Sequence, residues 1–267
     1  EFEIELQDKS TRWVLGSMNQ SKTTGEYILV VHDITQLRQL NSMRRDFISN
    51  LSHELRTPVS VIMANSETLL DGALDNKKDA KVFAKAILHN SERLSSMVSD
   101  LIDLSRIEYG DLKLNIKDID FNEFMESFLL SMKSVAKKKA IELIYTPDHN
   151  SLVNADIQAL ERIMNNLLDN AYKYSDEGTS VEVSTMDQGK MIKVMVADSG
   201  VGVSDEDQEH IFDRFYRTAS ARASDTKGSG LGLAIVKNLI NSLNGEVGIT
   251  TKRPSGSIFW FTIPKSK

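Results

Sequence analysis

Two long stretches of the chain carry apolar residues at helical spacing, and a short polar break separates them. The stretches cover residues 36–71 and 78–108, and the break contains Gly72, which suits the end of a helix. The apolar positions are Leu37, Leu40, Met43, Phe47, Leu51 and Leu55, then Val82, Phe83, Ala86, Ile87, Leu94, Met97, Leu101, Leu104 and Ile107. An antiparallel hairpin of two such helices covers only one side of each. We therefore expect a homodimer built around an all-α four-helix bundle, with a two-stranded coiled coil above Phe47.

The composition limits the classes of protein to which the chain can belong. A length of 267 residues leaves room for about two domains. The net charge of −6 argues against nucleic-acid binding, because no basic excess exists to neutralise phosphates. The absence of cysteine excludes disulfides and thiolate metal sites, and no apolar run approaches the roughly 20 residues that cross a bilayer. Since the first residue is not methionine and the opening residues have a strand pattern, we expect a piece of a longer protein.

The segments on either side of the two helices have a different pattern. Weak alternation predicts strands at Arg12–Ser17 and Glu26–Val31, joined by a polar turn at residues 21–25. From residue 112 onward, strands and helices are mixed, and a strong amphipathic helix is predicted over residues 155–174. This pattern is typical of an α+β sandwich with helices on one face of a mixed sheet. The predicted domains cover residues 1–36, 37–111 and 112–267.

One motif inside the first helix places a histidine beside a carboxylate and a hydroxyl. It reads His53-Glu54-Leu55-Arg56-Thr57-Pro58, so His53 and Thr57 share a helix face with Glu54 on its flank. A neutral imidazole is a nucleophile at one nitrogen when a carboxylate accepts a hydrogen bond from the other. Pro58 lacks an N–H group and is expected to bend the helix. From the residues alone, an unreactive histidine on a solvated helix face stays open as the alternative.

The helix predicted over residues 155–174 carries a second polar motif. Asn166 and Asn170 are four residues apart, and Lys173 follows three residues later, in the stretch that ends at Tyr174. Carboxamide oxygens are hard ligands that suit Mg²⁺, and a lysine can balance the charge of phosphates. Two ordinary asparagines on a polar helix face are the alternative.

Three further motifs follow in the second half of the chain. Asp198-Ser199-Gly200-Val201-Gly202 comes directly after a predicted strand, and its carboxylate can accept a hydrogen bond from the amino group of adenine. The segment Ile211–Arg217 ends in an arginine that can stabilise a transferring phosphoryl group, and a short helix is predicted near residues 206–216. Gly228-Ser229-Gly230-Leu231-Gly232-Leu233 opens a helix, whose free N–H groups can bind phosphate. Neither a dinucleotide fingerprint nor a P-loop is present.

The motif at His53 resembles the phosphoacceptor box of sensor histidine kinases, whose His-Glu-Leu-Arg-Thr-Pro signature is present without a departure. The resemblance implies that ATP phosphorylates His53 and that the phosphoryl group passes to an aspartate on the receiver domain of a response regulator. It implies that Glu54 is the acid/base partner. It also implies that Thr57 positions a water for hydrolysis of the regulator's aspartyl phosphate. Residues 1–36 resemble the last strands of a PAS sensor domain.

The four later motifs resemble the asparagine, first glycine, phenylalanine and second glycine boxes of the ATP-binding domain of these kinases. That domain has the Bergerat fold, shared with gyrase-type and chaperone ATPases. The resemblance implies Mg²⁺ ligands at Asn166 and Asn170 and a phosphate contact at Lys173. It implies that Asp198 binds adenine and that Arg217 serves the γ-phosphate. The other implied ATP-binding residues are Tyr174, Gly200, Gly202, Gly228, Gly230, Leu231 and Gly232.

The resemblance also implies moving parts. Residues 203–229 would form a mobile ATP lid, and a hinge at Tyr109-Gly110 would help to bring ATP to His53. One alternative is a hydrolytic ATPase of the same fold, but those relatives carry a water-activating Glu where this chain has Asn166. Another is a phosphatase-dominant or inactive dimerisation module. By resemblance to phosphate-response and cell-wall-stress kinases, we expect the cytoplasmic portion of a membrane-anchored bacterial protein.

Overall fold

The chain is described by a computed structural model that covers residues 2–7, 11–20, 25–108, 111–148, 152–223, 228–252 and 255–266. It divides into two compact units, residues 1–60 and 61–267. Most of the predicted turn at residues 21–25 and the predicted hinge at Tyr109-Gly110 lie outside the described residues. None of the helices within the described ranges combines the length and the apolar character that crossing a bilayer requires.

The first unit contains a three-stranded antiparallel sheet in the order β1-β2-β3. Its strands are β1 (Phe2–Gln7), β2 (Thr11–Gln20) and β3 (Tyr27–Asp33). The predicted strand Arg12–Ser17 lies within β2. The predicted strand Glu26–Val31 lies within β3 except for Glu26, which directly precedes it. That this sheet is the end of a PAS domain stays a prediction.

Helix α1 (Thr35–Leu70) begins directly after this sheet and is fixed to it by side chains. Asp33 Oδ1 accepts hydrogen bonds from the Thr35 N–H at 2.9 Å and from the Thr35 hydroxyl at 2.6 Å. The Trp13 N–H in β2 donates to Thr35 Oγ1 at 2.9 Å, and the guanidinium of Arg38 lies 4.8 Å from the centre of the Trp13 ring. The first turn of α1 is therefore attached to β2. The helix assignment continues past Pro58, and the bend expected there stays a prediction.

The two predicted long helices are confirmed, with ends that differ from the predicted ones by one residue or less. After α1 ends at Leu70, Gly72 adopts a φ of 118°, which a side chain would oppose, and a 3₁₀ turn follows at Ala73–Asp75. Helix α2 then covers Lys77–Glu108. The sequence of helix, tight turn and helix is the hairpin that the apolar pattern predicted.

The rest of the second unit is an α+β sandwich, as predicted. Its elements are β4 (Lys117–Asp120), α3 (Phe121–Lys138), β5 (Glu142–Thr146), β6 (Leu152–Ala155), α4 (Ile157–Tyr174), β7 (Ser180–Asp187), β8 (Met191–Ala197), α5 (Asp205–Gln208), α6 (Ala219–Ala223), α7 (Gly232–Ser242), β9 (Val247–Thr251) and β10 (Ser257–Pro264). The sheet order is β5-β7-β8-β10-β9; the β5–β7 pair is parallel and the other pairs are antiparallel. Strands β4 and β6 form a separate antiparallel pair.

Alternation along the strands shows that helices cover one face of this sheet. Val181 and Val183 on β7 and Val194 on β8 are fully buried, whereas Lys193 and Trp260 on the other face are partly exposed. Helix α4 turns its apolar stripe toward the covered face, with Leu160, Ile163, Met164, Leu167, Leu168 and Ala171 all buried. This packing fixes which side of α4 is left to face a ligand.

The predicted short helix near residues 206–216 is wrong in its extent. Only Asp205–Gln208 is helical, and α6 forms later, where no helix was predicted. Phe215 has a φ of 60°, a left-handed conformation that ends a right-handed helix, and its N–H donates to the Gly230 carbonyl at 2.9 Å. A distant segment of the chain therefore determines the backbone here.

Candidate active site

The four motifs of the second half line one cavity of about 650 Å³, which lies in the second unit. Cavities of this size are typical of small-molecule and cofactor sites. The lining includes ten of the twelve residues that the sequence assigned to nucleotide binding: Asn166, Asn170, Lys173, Tyr174, Asp198, Gly202, Arg217, Gly228, Gly230 and Gly232. The other two, Gly200 and Leu231, are buried behind the lining.

Asp198 lies at the end of β8 and is almost fully buried, with 4% of its surface exposed. Its Oδ1 accepts hydrogen bonds from the N–H groups of Gly200 at 2.9 Å and Ser257 at 3.0 Å. Burial nevertheless raises the pKa of this carboxyl, because the charged form is poorly solvated. Within the described residues Oδ2 accepts no hydrogen bond, so it is the oxygen left for a donor on a ligand.

The glycine after Asp198 allows two loops to approach each other closely. A Cβ on Gly200 would lie 2.3 Å from the carbonyl oxygen of Tyr174, at the end of α4. Gly202 has a φ of 75°, and a Cβ there would lie 3.2 Å from the Gly256 carbonyl. The absence of a side chain at Gly200 therefore lets the end of α4 at Tyr174 lie against the segment that follows Asp198, and both residues line the cavity.

The two asparagines of α4 differ in their surroundings. Asn166 Nδ2 donates to the Arg162 carbonyl one turn earlier at 2.8 Å, which fixes the orientation of the amide. A Cβ on Gly232 would lie 2.6 Å from Asn166 Oδ1, so this glycine lets the start of α7 approach that oxygen. Asn170 lines the cavity without a hydrogen bond from its side chain among the described residues. Lys173 is paired with Asp169 in an i, i+4 ion pair.

The glycine-rich motif packs against the phenylalanine motif. Gly230 has a φ of 71°, and a Cβ there would lie 2.7 Å from Cα of Phe215. Leu231, which is fully buried, precedes the first residue of α7, and its N–H donates to Ser229 Oγ at 3.3 Å. Gly232 and Leu233 line the cavity, so the N-terminus of α7 faces it. Unpaired N–H groups at such a terminus bind anions.

This packing predicts different effects of alanine at two glycines of one motif. Gly230→Ala should lower the free energy of unfolding by about 2 kcal/mol, because the new methyl group meets backbone atoms in a left-handed conformation. Gly228→Ala is the matched control, since a Cβ there meets nothing within 4 Å. Urea unfolding of both variants measures the difference. Equal stabilities would contradict the described contact with Phe215.

Arg217 lines the same cavity from the polar segment that was predicted to be a lid. Its guanidinium donates a hydrogen bond to the carbonyl of Ala221 in α6. The positive charge of Arg217 is therefore held beside the cavity. Residues 224–227 of the predicted lid lie outside the described residues.

The histidine motif lies in the first unit, on α1. His53 and Thr57 are exposed, and Glu54 is half-buried. The Thr57 hydroxyl donates to the His53 carbonyl over a long 3.4 Å. The exposed imidazole is therefore accessible to a reactant.

Several residues that line the cavity were missed by the sequence reasoning. Arg162 Nη2 lies 2.5 Å from Asp100 Oδ1 and 3.0 Å from Asp103 Oδ2, both on α2. The Ser229 hydroxyl donates to Asp100 Oδ2 at 3.3 Å. Burial raises the pKa of Asp100, against the opposing effect of Arg162. The position of Arg162, one turn before Asn166, was the only signal in the sequence; nothing nearby in sequence pointed to Asp100.

Two families of domains match this chain. Residues 43–110 match the His Kinase A (phospho-acceptor) domain, and residues 155–267 match the histidine kinase-, DNA gyrase B-, and HSP90-like ATPases. The sensor-like histidine kinase SenX3 of Mycobacterium tuberculosis is 36% identical over 237 residues, which are 89% of this chain and 58% of SenX3. The chain thus spans less than two thirds of that relative.

Solved structures show the same relationship. The histidine kinase AdeS of Acinetobacter baumannii is 27% identical, with a TM-score of 0.66 over 80% of this chain and 98% of AdeS. Full-length ShkA, solved in complex with AMPPNP, is 25% identical, with a TM-score of 0.61 over 83% of this chain and 46% of ShkA. With a phosphoacceptor domain and a kinase-type ATPase domain in this order, the chain belongs to the sensor histidine kinases of two-component systems.

Proposed function

We propose that the chain binds Mg-ATP in the cavity, transfers the γ-phosphoryl group to His53 and passes it to an aspartate on the receiver domain of a response regulator. The observation that carries the proposal is the convergence of all four motifs on one cavity, with the buried Asp198 at one wall and the N-terminus of α7 at another. That combination suits a ligand with a hydrogen-bonding base and a polyanionic chain. The AMPPNP held by ShkA supports a nucleotide in this fold.

The residue at the asparagine position favours transfer over hydrolysis. Hydrolytic ATPases of this fold use a glutamate there as the base that activates water. Asn166 has no basic group, and its Nδ2 is already committed to the Arg162 carbonyl. The acceptor must therefore bring its own nucleophile, and the exposed imidazole of His53 can do so.

A magnesium ion fits the amides of α4. Within the described part of the chain no group of three or more His, Cys, Asp or Glu side chains could hold a metal. Mg²⁺ does not need one, because it combines one or two protein oxygens with water and substrate phosphates. We assign Asn166 Oδ1 and Asn170 Oδ1 as its protein ligands. When bound, the ion would neutralise charge on the phosphates.

At His53 the chain supplies the nucleophile and a proton acceptor. One ring nitrogen forms the bond to phosphorus as the bond from phosphorus to the bridging oxygen breaks, and ADP leaves. Glu54, the next residue, accepts a hydrogen bond from the N–H of the other ring nitrogen and stabilises the cation that forms on attack; it then takes this proton, which leaves a neutral phosphorylated imidazole. Arg217 and Lys173 would balance charge on the transferring group; for Lys173 this requires leaving Asp169.

The reverse activity belongs to the same helix face. We assign to Thr57 the positioning of a water that hydrolyses the aspartyl phosphate of the regulator. Its hydroxyl is exposed and makes only a long hydrogen bond to its own helix, so it is available for that water. Kinase and phosphatase activities would then use residues one helical turn apart.

We also propose an assembly and a location for the chain. Apolar side chains along the hairpin remain exposed in the single chain, among them Leu40, Met43, Val82, Leu88 and Ile102. A second copy covers such surfaces when two hairpins form a four-helix bundle, so the active unit is a homodimer. We infer from the resemblance to phosphate-response and cell-wall-stress kinases that this is the cytoplasmic portion of a membrane-anchored bacterial protein, where it would meet its regulator.

Incubation with Mg²⁺ and γ-labelled ATP tests the proposal. The chain should take up label in a form that acid releases and alkali does not, as expected for a phosphorus–nitrogen bond. The same incubation with α-labelled ATP should leave the chain unlabelled. Adding a receiver domain that serves as acceptor should then remove label from the chain. A folded, nucleotide-binding dimer that takes up no label would contradict the kinase activity, and would leave a phosphatase-dominant module as the alternative.

A further inference from the structure

A buried carboxylate from the helical hairpin reaches the phosphate side of the cavity. Asp100 lies on α2, has 8% of its surface exposed and lines the same cavity as Gly228, Gly230 and Gly232. Its two oxygens have different partners: Oδ1 faces Arg162 on α4 at 2.5 Å, and Oδ2 accepts from Ser229 at 3.3 Å. The three side chains Asp100, Arg162 and Ser229 are here named the Asp100 clamp.

The clamp joins two elements that matter for the nucleotide. Ser229 Oγ also accepts a hydrogen bond from the Leu231 N–H at 3.3 Å. The Ser229 hydroxyl therefore links the Asp100 carboxylate to the start of α7. Arg162 lies one turn before Asn166, whose amide it orients through its carbonyl. The clamp is therefore attached both to the anion-binding helix terminus and to the helix that carries the predicted magnesium ligands.

A negative charge at this position opposes a nucleotide. Phosphates and the Asp100 carboxylate would share a cavity in which the low dielectric strengthens repulsion between like charges. Arg162 neutralises Asp100 in the described state and cannot at the same time be fully available to phosphate. Filling the cavity with a polyphosphate should therefore drive the clamp apart.

We propose that the Asp100 clamp and the nucleotide exclude each other, so that ATP binding frees the catalytic domain from α2 and the loss of ATP docks it there again. This inference rests on the proposed function, because it regulates the same site. Coupling of this kind is reciprocal. If ATP binding weakens the closed clamp by a given factor, closing the clamp weakens ATP binding by the same factor. Strain passed along the hairpin to α2 could in this way change how much ATP the domain holds.

Titration with AMPPNP and Mg²⁺ tests the exclusion. Asp100→Asn, which keeps the shape and removes the charge, should bind AMPPNP about 10-fold more tightly than the native chain, within the usual range of coupling between sites. Asp100→Ala should change the affinity in the same direction, which excludes an effect of the new amide. Asp103→Asn is the matched control, because Asp103 faces Arg162 at 3.0 Å but makes no described hydrogen bond to Ser229; its affinity should change less than about 2-fold.

A distance measurement gives an independent readout. The chain has no cysteine, so spin labels can be placed through Val98→Cys on α2 and Glu161→Cys on α4, both exposed positions. In the native background AMPPNP should lengthen the distance between the labels, and Asp100→Asn should lengthen it without nucleotide. Unchanged affinity in Asp100→Asn, or an unchanged distance with AMPPNP bound, would overturn the clamp. A native chain that binds no AMPPNP would instead overturn the proposed function.

Discussion

Replacing His53 with glutamine should remove all acid-labile label from the chain and leave its affinity for AMPPNP unchanged. Glutamine keeps polarity and approximate length, but its amide nitrogen is not a nucleophile. The affinity should persist because every described residue that lines the cavity lies between His89 and Phe259, outside the unit that contains His53. Labelling with γ-labelled ATP and titration with AMPPNP measure the two quantities on one preparation.

The other histidines supply the control for this result. The sequence contains five, and His32→Gln on β3, an exposed position, should label as the native chain does. Label that persists in His53→Gln at native levels would show that the acceptor is another residue. Glu54→Gln should give an intermediate result: labelling slows by about 100-fold, the usual effect of losing an acid/base partner, and the label stays acid-labile.

Much of the fold could be predicted because it depends on local periodicity. The stripe of α4, from Leu160 to Ala171, repeats at the helical spacing, and the same residues are buried in the structure. The hairpin was predictable for a similar reason, with Gly72 marking the break at a φ of 118° that other residues avoid. In the cavity of the second unit, the order of short motifs allowed ten lining residues to be named in advance.

What the sequence missed depends on contacts between distant segments. The helix predicted near residues 206–216 cannot include Phe215, because this residue is left-handed and its N–H donates to the carbonyl of Gly230, fifteen positions later. The ion pair of Asp100 with Arg162 joins residues 62 positions apart, and a charged residue on α2 gives no sign of such a partner. Helical periodicity places Asp100 on a face, but the packing of α2 against α7 and the ion pair with Arg162 on α4 take it into a cavity.

Replacing Asp198 with asparagine should separate stability from nucleotide affinity. At pH 7 the free energy of unfolding should stay equal or rise. Burial raises the pKa of this carboxyl in the folded chain. Above that pKa the buried carboxylate lowers the free energy of unfolding, and this destabilisation disappears as the pH falls below the pKa of an ordinary carboxyl group. Asparagine removes the charge and keeps the single oxygen, Oδ1, that accepts from Gly200 and Ser257.

The affinity for ADP should fall by about 100-fold in the same variant, because the new NH₂ group faces the amino group of adenine, donor against donor, in a buried site. Guanine carries an acceptor oxygen at that position, so the preference for ADP over GDP should shrink. Asp156→Asn is the matched control: Asp156 is also buried, but both of its oxygens accept backbone N–H groups, from Ala159 at 2.9 Å and Asn115 at 2.7 Å. That variant should lose about 1–2 kcal/mol of stability and keep its base preference. Titrations with both nucleotides and urea unfolding measure these changes, and an unaltered ADP-to-GDP ratio in Asp198→Asn would show that this carboxylate does not contact the base.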